Sequence, residues 1–134
     1  MRIKMILAAS AIALAPATVQ AAGGTTLTPY TMTSSTYEQN FNTLATTGAN
    51  NSALPAGFQI YEGMAAADGG YRAGTGSDNN GGAYSFGSAG STERALGSLG
   101  SGGATPIYFG GIFTNGLSSA ITELAFAFTG EQWR

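Results

Sequence analysis

The segment Glu123-Leu124-Ala125-Phe126-Ala127-Phe128-Thr129 alternates large apolar and small side chains over seven residues. In an extended chain Leu124, Phe126 and Phe128 fall on one face and Ala125 and Ala127 on the other, the period of two of a strand with one buried side. The same period recurs upstream. Ile107-Tyr108-Phe109-Gly110-Gly111-Ile112-Phe113-Thr114 places Ile107, Phe109 and Phe113 on a common face. Phe58-Gln59-Ile60-Tyr61 lies between Pro55-Ala56-Gly57 and Gly63, and Tyr84-Ser85-Phe86 between Gly81-Gly82 and Gly87, each a short strand bounded by turn residues. Gly, Asn and Asp fill the intervals and supply the positive φ angles of turns, and Asn115-Gly116 reads as a hairpin turn. No capped run of twelve or more residues has helical period, and Arg94 to Leu99 is expected to form at most a single turn. The sequence thus predicts an all-β domain over residues 37–134, an antiparallel β-sandwich or jelly roll. Four or five strands would leave long unpaired edges, so the pattern further predicts a sandwich incomplete at its C-terminal end.

The N-terminus has a different composition. Arg2 and Lys4 precede an uncharged Ala/Ile/Leu-rich run, Met5 to Ala15, and Val19-Gln20-Ala21 is a small-residue cleavage pattern with Pro16 just before it. That is the anatomy of a secretory signal peptide cut after Ala21. The alternative, a membrane anchor, needs an apolar run able to cross roughly 30 Å of hydrocarbon, which this one is too short to do. No twin-arginine pair is present, so the general export route is expected. A polar lead is then predicted from Ala22 to about Thr36, and no transmembrane segment after cleavage. The expected location is secreted, outside the cytoplasm.

Loss of residues 1–21 leaves Arg72, Arg94 and Arg134 against Glu38, Glu62, Asp68, Asp78, Glu93, Glu123 and Glu131, with no lysine. Such a surface repels phosphate, because nucleic-acid affinity rests on Lys and Arg neutralising the backbone; neither nucleic acid nor an anionic membrane is an expected partner. The chain has no His and no Cys. Ser-His-Asp and Cys-His catalysis and an ordinary zinc site are therefore excluded. All 21 glycines follow the signal peptide, a glycine-rich composition that verges on low complexity. Seven Phe, six Tyr and one Trp with small net charge oppose that reading, since disordered chains lack aromatics and are strongly charged.

The series Phe41-x-x-Leu44, Leu54-Pro55-x-Gly57-Phe58, Tyr71-x-Ala73-Gly74-Thr75-Gly76, Gly82-x-Tyr84-Ser85-Phe86-Gly87, Arg94-Ala95-Leu96-Gly97-Ser98, Phe113-Thr114-Asn115 and Thr129-Gly130-Glu131-Gln132-Trp133-Arg134 occurs in order. Together these motifs resemble the N-terminal β-sandwich domain of bacterial exported proteins of the PEP-CTERM-sorted or hypothetical kind, found also ahead of nuclease, lamin-tail or immunoglobulin-like modules. The resemblance covers nearly all of residues 37–134. It implies fold and extracytoplasmic location and carries no established activity. The Pro-Glu-Pro motif, membrane helix and basic tail of the sorting signal are not in this sequence.

Candidate sites are few. Asp78, Asn79 and Asn80, within Gly74–Gly82, offer the hard oxygen ligands that Ca²⁺ takes; with one carboxylate, a solvated turn is the preferred reading, and no other cofactor is expected. The same loop lacks the Lys-Ser/Thr of a phosphate-binding loop. Trp133 could serve as a stacking platform, with Glu131, Gln132 and Arg134 bonding sugar hydroxyls in a groove. The preferred alternative pairs Arg94 with Glu131 across the sandwich and sets Trp133 in the core, since buried charges need partners. Glu93 and Glu131 could supply the two carboxylates of a glycosidase, but nothing local singles them out, and no enzyme is expected. The leading expectation is a non-catalytic exported module with a structural, adhesion or interaction role at the cell surface or in the matrix. The others are a carbohydrate-binding module using exposed Tyr71, Tyr108 and Trp133 on a polysaccharide, and the leading domain of a larger secreted hydrolase or nuclease.

Overall fold

The structure, a computed structural model, describes residues 2–8, 28–63 and 68–133. Every regular element among them is a strand: β1 (Arg2–Ala8), β2 (Tyr30–Met32), β3 (Thr36–Gln39), β4 (Phe58–Glu62), β5 (Arg72–Gly74), β6 (Gly82–Phe86), β7 (Ala95–Leu99), β8 (Ile107–Gly111), β9 (Phe113–Asn115) and β10 (Glu123–Thr129). They form small sheets ordered β10-β1-β3, β2-β9, β4-β8 and β5-β6-β7, a sandwich-like all-β fold whose sheets do not close on themselves. Most ladders are antiparallel as expected, but β2–β9 and β5–β6 run parallel.

The organising strand is β6, buried at all five positions. Its period of two sends Ala83 to one apolar cluster and Tyr84 and Phe86 to another. The first and larger cluster contains Met32, Tyr37, Phe41, Leu44, Phe58 and Tyr71 with their neighbours. Its rings meet edge to face, Phe41 on Phe58 at 5.0 Å and Tyr37 on Phe113 at 4.9 Å, arrangements that aromatic quadrupoles favour. Arg94–Leu99 departs from expectation: Ala95–Leu99 is strand β7, its register along β6 setting Leu96 opposite Ser85 and Gly97 opposite Tyr84. Glycines in β5 and β7 explain the tight fit, since a Cβ on Gly74 would press on the Tyr84 ring and one on Gly97 on the Phe86 ring. The aromatic rings occupy the space those side chains would take.

Three further expectations change. Residues 107–114 are broken at Ile112, whose N–H donates to the Gly57 carbonyl at 2.9 Å while its carbonyl accepts from Tyr30 N–H. Asn115-Gly116 does not make a tight hairpin: Gly116 N–H donates to the Met32 carbonyl, and the Asn115 amide ties down the following loop through Leu117 N–H and the Ser119 carbonyl. The lead is not wholly outside the domain either, because β2 lies within it and Met32 is fully buried.

The largest correction concerns β10, the strand whose alternation reads most clearly. Leu124, Phe126 and Phe128 are 53, 65 and 72 % exposed. Met5 of β1 stands opposite both Phe126 and Tyr37, and directly opposed residues point to the same side of a sheet. Phe126 is thus on the face that Tyr37 turns to the core. At β3 that face rests on Phe58 and Phe113; at β10 it extends beyond them.

β1 itself lies in the stretch read as a signal peptide. Its seven residues pair with all of β10, and four of them with β3. The cleavage pattern Val19-Gln20-Ala21 is outside the described residues.

Candidate functional site

The second face of β6 carries a concavity. Tyr84 and Phe86 stack at 4.9 Å and 9° between planes, and Trp133 continues the series on Phe86 at 6.2 Å and 8°. Around the end of this aromatic ladder lies a trough of about 410 Å³, lined by Phe86, Leu99 and Phe109 together with Glu131, Gln132 and Trp133. The C-terminal segment is seated by close backbone approach. Gly76 has φ +88°, and a Cβ there would collide with the Trp133 carbonyl. Glu131 Oε2 accepts from Trp133 Nε1–H at 3.0 Å, which fixes the indole. The trough therefore presents apolar and aromatic surface, with polar groups of Ser98, Glu131 and Gln132 at hand. Glu131 is the single carboxylate among the described residues lining it.

The structure brings Glu131, Gln132 and Trp133 together there and leaves Arg94 elsewhere. Arg94 is 4 % exposed, and among the described residues its guanidinium bonds are to neutral oxygens. Nε–H donates to Ser85 Oγ at 2.8 Å and the Nη2 group to the Ser85 carbonyl and, at 3.4 Å, to that of Gly74. Its backbone N–H donates to Asn42 Oδ1 and Ser85 Oγ–H to the Ala45 carbonyl, so Arg94 and Ser85 together fasten β6 to β5 and to the loop after β3. The pair Arg94–Glu131 is replaced by this arrangement, because neutral backbone and hydroxyl oxygens reach the guanidinium where β5, β6 and β7 converge. Burial pushes the Arg94 pKa down. Trp133 is half-buried against the second cluster. Arg134 lies outside the described residues.

In the Asp78–Asn80 loop the carboxylate is engaged by the loop itself: Asp78 Oδ1 accepts from Asn80 N–H at 3.0 Å and from its side-chain amide at 2.9 Å. The N–H bond holds the Asp78 carboxyl below its ordinary value. The Asn80 carbonyl accepts from Tyr84 O–H at 2.6 Å. These contacts describe a turn anchored to β6. No group of three or more acidic, His or Cys ligands occurs among the described residues.

Of the aromatics proposed for sugar stacking, Tyr71 is 1 % exposed. Its hydroxyl donates to the Ala53 carbonyl and accepts from Ala45 N–H, so it is a core residue. Tyr108 is well exposed and stacks on Tyr61 at 6.0 Å.

One polar group escapes the sequence reading. Glu62 is 6 % exposed, and its Oε1 accepts from Ala83 N–H at 2.5 Å. Burial raises its pKa, and the nearby Asp68 carboxylate adds to the rise; Asp68 in turn lies 4.0 Å from Arg72. The signal was there in the parity of β4, since Glu62 shares a face with Phe58 and Ile60.

Comparison with protein-family models, with curated proteins and with solved structures finds no match to this chain.

Proposed function

We propose that this chain is the precursor of an exported, non-catalytic β-sandwich module that acts by contact, in a structural or adhesive role at the cell surface or in the matrix. The observation that carries this reading is the apolar face of β10. Leu124, Phe126 and Phe128 form a contiguous exposed strip on the side that a sandwich normally covers, and contiguous apolar surface marks interaction sites. The signal-peptide anatomy of residues 1–21 and the resemblance of residues 37–134 to PEP-CTERM-type exported domains supply the location. The absence of His and Cys from the sequence removes the usual nucleophile–base pairs.

The trough beside Trp133 favours a second reading, a carbohydrate-binding module in which sugar rings lie against Phe109 and the free edge of the indole while Glu131 and Gln132 bond hydroxyls. Retention of labelled protein on isolated extracellular matrix separates the two. The leading reading expects Phe128→Lys to release the protein and Trp133→Ala to leave it bound. Loss on Trp133→Ala, with elution by soluble polysaccharide, would establish the second reading instead.

A further inference from the structure

We infer that in the processed protein the strand seat held by β1 is taken by β10 of a second copy, giving a twofold dimer built on one four-stranded sheet. The inference rests on the reading that residues 1–21 are removed. Once they are gone, β10 loses its seven-residue partner and β3 its four-residue partner. An unpaired strand edge exposes a row of N–H and C=O groups that template another chain. Among the described residues β10 is also the outermost strand on its other side, so there it is left with two open edges.

The sequence that fits the seat is already in the chain. In the observed register Ile3, Met5 and Leu7 stand opposite Phe128, Phe126 and Leu124, with Lys4 and Ile6 opposite Ala127 and Ala125. A second copy of β10, laid antiparallel in that register, sets the partner's Leu124, Phe126 and Phe128 at the places of Ile3, Met5 and Leu7. Alanines take the places between. The alternation is preserved position by position, and a one-residue slip would reverse it. Tyr37 on β3, opposite Met5 in the ladder register, then stands opposite the partner's Phe126.

The pairing is self-complementary, as a twofold interface requires. Phe126 meets Phe126 on the axis, Leu124 meets Phe128, Ala125 meets Ala127, and Glu123 meets Thr129. The two Glu123 carboxylates end at opposite corners, six residues apart along the strand, about 20 Å, so like charges do not oppose. Symmetry also closes the outer edges. If the partner's β10 lies between β10 and β3, then β10 lies between the partner's β10 and the partner's β3. The strand order becomes β3, the partner's β10, β10, the partner's β3, and both edges of β10 are satisfied. The two apolar strips fuse into one on the same face, which deepens the contact role proposed above.

The test is to express the full chain in an exporting bacterial host, read the N-terminus of the released protein by mass spectrometry, and measure its solution mass by light scattering. An N-terminus at Ala22 with twice the protomer mass is expected. Phe126→Lys and Phe126→Glu each set like charges face to face on the axis and should weaken self-association about tenfold or more. Circular dichroism of both variants should match the parent, because Phe126 is exposed in the single chain. Mixing the two variants should restore the dimer, a rescue that only direct opposition of position 126 with itself explains. A processed parent that stays monomeric, or charge variants that remain dimers, would overturn the inference while leaving the export reading intact. An N-terminus still at Met1 would defeat the export reading, and the vacated seat with it.

Discussion

Arg94 and Glu62 are two of the very few charges in the chain, and both are inside it. Each acts as a polar fastener for β6: Arg94 holds the Ser85 end and Glu62 the Ala83 end. Truncating Arg94 removes the donors to Ser85 and Gly74 and opens a void, so Arg94→Ala should destabilise by about 2–4 kcal/mol, seen as a lower urea midpoint with an unchanged slope. Glu62 predicts a pH dependence. Its folded pKa is raised above the ordinary 4.5, so its contribution to stability is fully present below that value and falls as pH rises through the raised folded value. The parent should therefore lose stability from pH 4 towards neutrality, and Glu62→Gln, which keeps the acceptor for Ala83 N–H, should flatten the curve. Chemical denaturation at a series of pH values reads this directly; an unchanged pH dependence in Glu62→Gln would contradict the assignment to Glu62. The burial of these charges was partly legible. Parity along β4 places Glu62 with Phe58, but nothing adjacent to Arg94 identifies Ser85 and Gly74 as its acceptors, because they come from strands 9 and 20 residues away.

At the scale of elements, period-two alternation located strands well and faces poorly. β4, β6 and β10 are where the pattern puts them, since side-chain parity is a local property of extended backbone. Whether a strand's apolar side is covered depends on another layer, and β10 has none beneath it among the described residues. Phe128→Ala should accordingly cost about 1 kcal/mol or less, whereas Phe58→Ala, in the larger cluster, should cost about 3–5 kcal/mol. β7 has a weak strand signature because Gly97 and Ser98 interrupt its apolar pattern, and the reason for Gly97 is the Phe86 ring above it. The C-terminal segment is held at Gly76 in the same way. Gly76→Ala combines a positive φ with a collision at the Trp133 carbonyl, so it should destabilise by about 1–3 kcal/mol. Because Trp133 is the sole tryptophan, its displacement should appear as a red shift of intrinsic emission.

For the whole molecule, the fold is two aromatic clusters on opposite faces of one short, fully buried strand, with an apolar sheet projecting from the edge of the larger cluster. That division was not readable from alternation alone, which gives β6 and β10 the same signature although one is the centre and the other the margin. Backbone amide exchange followed by NMR tests the division most directly. Protection reports the free energy of opening each element. The slowest-exchanging amides should belong to Ala83 and Ser85 of β6 and their ladder partners in β7, with β10 exchanging faster by local opening. Slowest exchange in Glu123–Thr129, or no protected amide in Gly82–Phe86, would contradict the account.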